Sequence, residues 1–415
     1  MRKGMNDTVK TQKSPWVAII GCLVVQLCVG IIYLWSVFSN SVVASFGWNA
    51  ASAKMVSSYM LFAFVFGNLI GGFLNDKKGP KFTCVAGVIL FALGVFCTGF
   101  LTSSTIGLIN LTYCVMGGLG SGFAYGACIS CIQKWLPHRR GFASGLAVSA
   151  FGLSTVVFTP VSQWLMTLFT DADTGLVNFR PVFFILGGVF FVIGIVACLF
   201  ISLPSDEYIK GLNLPAAATS NAKNYTLGEA MKTVPFWCIF LSIFFINGTW
   251  NLTVPLIKGL GMERGLTEAL AVFCVSFTGI PNAAGRLIMA TVSDKLGRIP
   301  TMIILCAMTL VGAICMTFVT GIPYIVVIGL IAFAYGGPSA LNAALSTDFF
   351  GPKNSGTNYG VIMLALGFSS IFFNAVSSSI LGGAVVPTFI MAAVTSVIPV
   401  FLMWIISKYQ KTWNK

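Results

Sequence analysis

Charge is what this sequence has least of. Only 8% of its 415 residues are Asp, Glu, Lys or Arg, against 57% hydrophobic, whereas a soluble domain carries about 25% charged residues to clothe its surface. A water-bathed globule is therefore excluded, and lipid is the solvent that suits such a composition. Acid is scarcer than base, with 11 Asp and Glu against 24 Lys and Arg. His138 is the single histidine, which excludes an imidazole metal centre. There is no Gly-x-Ser-x-Gly nucleophile turn, no phosphate-binding Gly-x-x-x-x-Gly-Lys loop and no pair of carboxylates deep in an apolar run. Those absences remove the usual catalytic constellations and a nucleotide-driven pump. No enzyme activity, cofactor or metal is expected.

Cysteine is present but unpatterned. The 12 cysteines are scattered through apolar runs, with Cys128 and Cys131 the only short pair, and they are expected to pack as small hydrophobes. The chain is otherwise a series of apolar runs. The basic N-terminus precedes one from Trp16 to about Phe46, too long for a cleaved signal peptide and read as a retained span. At about 20 residues per crossing, cutting at charges, prolines and polar clusters gives spans near 16–45, 53–75, 82–102, 105–133, 141–169 and 180–203, then 235–258, 267–293, 300–320, 322–349, 354–382 and 385–407. The longest polar stretch lies between the two sets. The expected organisation is an all-α membrane protein of twelve transmembrane helices: a six-helix half over 1–203, a linker over 204–234 with a short helix near Leu227–Thr233, and a six-helix half over 235–415.

Lys and Arg in the loops orient the spans. With both termini inside, nineteen of the 24 fall on the cytoplasmic side, and Lys54, Arg180, Lys258 and Arg264 fall opposite. That bias explains the formal net charge of +13 without a nucleic-acid partner. The lipid bilayer is the expected partner, the plasma membrane of bacterial inner-membrane type the expected location, and a monomer the expected state.

An internal repeat supports two halves. Asp76-Lys77-x-Gly79 follows span two and Asp294-Lys295-x-Gly297 follows span eight, 218 residues apart; Gly141 and Gly145 open span five as Gly356 and Gly360 open span eleven, 215 residues apart. The glycine serves a tight turn. The aspartate can pair with basic groups or with the N-terminus of a neighbouring helix, and such a latch would hold the inside face closed in one state. A plain positive-inside anchor is the blander alternative.

The Gly-x-Leu-x-Asp-Lys-x-Gly pattern and the six-plus-six plan resemble the major facilitator superfamily. GLGSGFAYG and KWLPHRRGFASG across spans four and five, TVPFW before span seven, GRLIMATVSDKLGR ending span eight and Asn358-Tyr359-Gly360 narrow the resemblance to its oxalate–formate antiporter branch, which is similar to the animal monocarboxylate transporters. The resemblance implies secondary active transport of a small carboxylate by alternating access, driven by a proton or anion-exchange gradient.

Nearly every ionisable residue sits near the end of a span. Arg286 does not: it lies eight residues before Asp294, about 12 Å up the helix. A guanidinium at that depth costs at least about 2.5–3.5 kcal/mol, so it is expected to face the bundle interior. Either it staples backbone carbonyls, or its planar fork takes a carboxylate. No deep acid neutralises it, which favours a mobile counter-ion, the substrate. One cation matches one carboxylate. In the oxalate–formate family a lysine six residues past Asn-Tyr-Gly supplies a second, and Leu366 stands there. That departure favours a monocarboxylate such as lactate, pyruvate or formate over oxalate, since a dianion would keep an unpaired charge in low dielectric. Asn282, one turn before Arg286, resembles the place of a proton-coupling aspartate in the animal carriers; it cannot titrate, so a coupled proton needs another group or the substrate. Tyr33, Tyr125 and Tyr335 lie inside their spans and are candidates for the same pocket, the first two matching cavity tyrosines of the family and the third replacing a tryptophan. Core tyrosines with satisfied hydroxyls fit the same positions. Trp35, Tyr59, Asn247, Asn251, Asn342 and Asn358 are weaker candidates. The alternatives to a monocarboxylate carrier are an oxalate–formate exchanger and a non-transporting organic-anion sensor.

Overall fold

The computed structural model of the chain describes residues 14–212, 224–376, 380–381 and 384–413. Among the described residues, helix is the only regular structure besides one isolated bridge between Thr170 and Val177. Eleven helical segments among the described residues are long and apolar enough to cross a bilayer. A further, N-terminal segment is broken: α1 (Pro15–Val29), a 3-10 turn (Ile31–Leu34) and α2 (Trp35–Phe46). Then come α3 (Ala50–Lys78), α4 (Pro80–Thr98), α5 (Gly117–Trp135), α6 (Arg140–Leu168), α7 (Phe179–Phe200) and the short helices α8 (Asp206–Gly211) and α9 (Leu227–Ala230). They are followed by α10 (Val234–Thr253), α11 (Ile257–Glu263), α12 (Glu268–Phe277), α13 (Gly279–Leu296), α14 (Arg298–Cys315), α15 (Ile322–Phe350), α16 (Ser355–Ile362), α17 (Leu364–Ala375) and α18 (Val385–Trp413). Helices α12 and α13 stack as one apolar segment, Glu268–Leu296.

The expected boundaries hold to within a few residues, and the departures have local causes. The span expected over 300–320 ends its helix at Cys315, and the turn that follows is held by Arg264, which donates to the carbonyls of Thr317 and Val319. Span two, expected to stop at 75, runs on through Asp76 and Lys77 to Lys78, and its counterpart runs through Asp294 and Lys295 to Leu296. Gly79 and Gly297 stop them, with φ of 84° and 96°. No atom crowds a Cβ at Gly79, so the demand there is purely torsional: these angles belong to glycine. The linker helix α9 is shorter than expected and is fixed by a capping box between Thr226 and Glu229. Residues 213–223 of the linker, with Lys223, lie outside the described residues, as do Arg2, Lys3, Lys10, Lys13 and Lys415.

Packing follows small residues. Exposed Tyr59, Phe62, Phe66, Ile70 and Phe73 form a stripe down one face of α3, suited to lipid. On another face Gly67 and Gly71 press against the backbone of α5 at Leu119 and Phe123. In return Gly118 and Gly122 meet α3, and Gly120 meets Gly87 and Phe91 of α4. Glycine thus lets α5 be gripped from two sides. The two most extensive crossings between the parts of the chain before and after the linker are α6 on α13 and α16 on α3. Both use the repeated glycines. A Cβ at Gly145 would lie 2.9 Å from that of Ala290, and one at Gly360 would lie 2.9 Å from Leu69 Cα.

Candidate functional site

Arg286 projects from α13 where that helix is crossed by α6 and α15. It is 8% exposed. Its Nε donates to Asn282 Oδ1 at 2.8 Å, one turn back, and its Nη1 donates to the Val148 carbonyl of α6 at 3.0 Å. Gly152, one turn further along α6, forms the floor: a Cβ there would lie 2.9 Å from Nη1. Among the described residues no carboxylate pairs with Arg286. A guanidinium has five N–H donors, and these two bonds leave the others for a ligand.

The guanidinium lines a cavity of about 50 Å³ together with Tyr125, Tyr335, Tyr359, Asn247 and Asn342. At about 10–15 Å³ per water-sized occupant, such a space holds roughly three to five, the scale of a short acid. Tyr125 lies within hydrogen-bonding reach of Tyr359. Tyr359 donates to the Ser339 carbonyl at 3.3 Å. Tyr335 donates to Asn247 Oδ1 at 2.8 Å and stacks on Trp250 at 4.6 Å. Phe64, Phe151, Met363 and Leu366 supply apolar wall. The only charged side chain in the lining is Arg286.

Of the candidates from sequence, Arg286, Tyr125 and Tyr335 therefore meet at one cavity. Asn282 does not line it and instead orients the arginine. The Tyr33 side chain lies outside the described residues. Asn247 and Asn342 join the lining, whereas Trp35 is buried elsewhere, donating to the Ala53 carbonyl, and Tyr59 is on the outer face, 46% exposed. Asn358 is buried and donates to the Tyr225 carbonyl. Its neighbour Tyr359 was missed as a lining residue; only the chain reversal at Gly351, which returns α16 beside α15, brings it in.

The repeated Asp-Lys-x-Gly segments build a second feature on one face of the molecule. Asp76 accepts from the backbone N–H groups of Gly356 (3.2 Å) and Thr357 (2.7 Å) at the start of α16. Asp294 accepts from those of Gly141 and Phe142, both at 2.8 Å, at the start of α6. Each acid sits in the last turn of its own helix, the wrong end for that helix's dipole, but faces the N-terminus of another, where a negative charge is favoured. The two crosswise contacts differ in their surroundings. Arg298 binds Asp294 at 2.6 Å and Asp348 at 3.0 Å, and Arg140 binds Asp348 at 2.9 Å. Around Asp76 stand neutral groups: Asn75 donates to it, and Ser130 and Ser355 face each other with hydroxyl oxygens 3.1 Å apart. Lys77 and Lys295 are exposed and make no hydrogen bond or ion pair with a described residue. Gly79 and Gly297 act through the turns already described. Arg140, Arg298 and Asp348 had not been singled out, because nothing in their local spacing announces a partner as distant as 208 residues.

The profile described as Major Facilitator Superfamily matches residues 18–374 and 275–414. The chain is similar to an oxalate:formate antiporter of Oxalobacter formigenes, 24% identical over 87% of this chain and 84% of that one. It is also similar to monocarboxylate transporter 13 of Rattus norvegicus, 32% identical over 34% of this chain and 32% of the relative. Among solved structures, the proton:xylose symporter XylE superposes with a TM-score of 0.74 at 14% identity, covering 95% of both chains; at that identity the likeness concerns fold alone.

Proposed function

This chain belongs to the major facilitator superfamily, with its twelve-helix multi-pass transporter fold, and from that premise we propose that it is a secondary carrier of small monocarboxylates, of the lactate, pyruvate or formate class. It works by alternating access, driven by a proton or anion-exchange gradient, and is not an enzyme. The observation that carries the reading is Arg286: a buried guanidinium with spare donors, no carboxylate mate among the described residues, and a cavity sized for a short acid. The substrate carboxylate takes the fork, and Tyr125, Tyr359 and Asn342 complete its polar surroundings. The face carrying Asp76 and Asp294 is read as cytoplasmic, in a bacterial inner membrane, and the crosswise contacts there are read as the latch that shuts it. The two halves, 1–203 and 235–415, rock about the linker as this latch opens and closes. Among the described residues no acid lines the cavity, so a coupled proton would travel with the substrate or by another group.

Oxalate–formate exchange is the rival, favoured by the near full-length similarity to an oxalate:formate antiporter. The cavity speaks against it: Leu366 lines it where that family has a lysine, leaving one cation for a dianion's two charges, which is costly in low dielectric. Uptake of labelled lactate, pyruvate, formate and oxalate into proteoliposomes tests both, with and without an imposed pH gradient. Lactate or pyruvate is expected to compete for a bound ligand better than oxalate. Oxalate prevailing by a wide margin would refute the monocarboxylate reading, and binding without uptake of any acid would indicate a sensor.

A further inference from the structure

A second cavity, of about 270 Å³, opens beside the latch. Its lining is contributed by three parts of the chain: the end of α5 and start of α6, the segment entering the linker, and the end of α15 with the start of α16. Most of its polar groups are already satisfied. Gln133 donates to Ser144 at 2.6 Å and accepts from Thr347 at 2.8 Å, Ser130 pairs with Ser355, and Arg140 is neutralised by Asp348. Lys134 is the exception. It is half-buried in this wall and has neither a hydrogen bond nor an ion pair with any described residue. The remaining wall, Leu203, Pro204, Ile209, Pro137 and Pro352, is largely apolar.

We propose that this cavity is an effector site for a soluble monoanion with a hydrocarbon body, such as an aromatic monocarboxylate, and that its occupation holds this face of the carrier shut. One unneutralised ammonium sets the charge at a single negative, and the apolar wall asks for a hydrocarbon part. Size separates the ligand from the transported acid, since the cavity at Arg286 has less than a fifth of this volume. The holding action follows from where the walls originate. Residues 130–140 and 347–355 lie on either side of the linker in sequence, and moving them apart dismantles the cavity. A ligand that binds only the closed arrangement raises the closed-to-open ratio by mass action, about tenfold at ten times its Kd. This consequence rests on the alternating-access reading; the binding itself does not.

Benzoate is the probe, with the full chain in neutral detergent and binding followed by titration calorimetry. The Arg286→Ala variant, whose central site is disabled, is expected to keep binding benzoate. Lys134→Gln is expected to weaken benzoate at least tenfold, and Lys134→Arg to retain it, which also shows that the position tolerates substitution. Backbone amide exchange over residues 141–145 and 356–360 is expected to slow about tenfold at ten times the Kd. Unchanged affinity in Lys134→Gln, or loss of all binding in Arg286→Ala, overturns the site. Binding without slowed exchange overturns the holding action. The same titration in phosphatidylglycerol vesicles separates soluble from lipid anions: if the lipid alone slows exchange and excludes benzoate, the occupant is a headgroup and the soluble-acid assignment falls.

Discussion

Arg286 is held by two bonds that lie on different helices, and each predicts a different failure. Asn282 orients the guanidinium from its own helix, while the Val148 carbonyl and the bare surface of Gly152 locate it from α6. Lysine at position 286 keeps the charge but offers a point donor in place of a fork. Losing one charge-assisted hydrogen bond of about 1.5–3 kcal/mol, Arg286→Lys is expected to lower kcat/KM for the transported acid at least about tenfold; near-normal uptake kinetics would show that the fork is not a bidentate clamp. Gly152→Ala places a methyl 2.9 Å from Nη1, which displaces the guanidinium without touching its charge. A several-fold rise in KM, with unchanged thermal stability of the purified variant, is the expected result. The position of Arg286 within its apolar run was legible because a charge at that depth is costly wherever it occurs. The role of Gly152 was not, since glycine in a packed span announces only that something comes close.

At the scale of elements, two helix ends are capped by two acids in the contacts proposed as the latch, and the two are not equivalent. Ser130 and Asp348 are related by the offset of 218 residues that relates Asp76 to Asp294, and Arg140 and Ser355 by the 215 that relates Gly141 to Gly356. One crossing therefore carries Arg140, Asp348 and Arg298 where the other carries Ser355, Ser130 and Pro80. Asp76→Asn removes charge from a neutral surrounding. Asp294→Asn leaves Arg140 and Arg298 with only Asp348 between them. Amide exchange at Gly141 and Phe142 in Asp294→Asn is expected to quicken more than exchange at Gly356 and Thr357 in Asp76→Asn. High salt should narrow the gap by screening the ionic crossing. Equal responses in both variants, at low and high salt, would mean that the charged cluster adds nothing to closure. The repeat itself could be read from sequence because it recurs at one offset; its crosswise pairing could not, since each acid ignores the loop it belongs to and caps a helix 152–281 residues away.

Across the whole molecule, Ser130 of α5 and Ser355 of α16 are in hydroxyl contact at 3.1 Å on the face proposed to open and close. Cysteines introduced at both sites (Ser130→Cys with Ser355→Cys) are expected to form a cross-link under mild oxidation that abolishes uptake and is reversed by a thiol reductant. Either single variant under the same oxidant should keep working; uptake that survives a verified cross-link would show that this contact need not open. The cysteines are free and mostly buried, as expected of small packed hydrophobes, and the fold gathers four of them. Cys84 and Cys128 come within 3.6 Å, with Cys22 and Cys131 beside them, a grouping that their sequence spacing does not announce.

What sequence alone determined here follows from solvent and periodicity. A chain with 8% charged residues cannot cover a core in water, runs of about 20 apolar residues must be helices because lipid satisfies no backbone group, and a repeated turn motif reports a repeated architecture. What only the tertiary structure decided is which distant groups meet: Arg286 with the Val148 carbonyl, Tyr125 with Tyr359, Asp76 and Asp294 with the starts of α16 and α6. Those meetings depend on helix crossings set by small side chains, and the mutual fit of two surfaces is a property that neither stretch of sequence carries by itself.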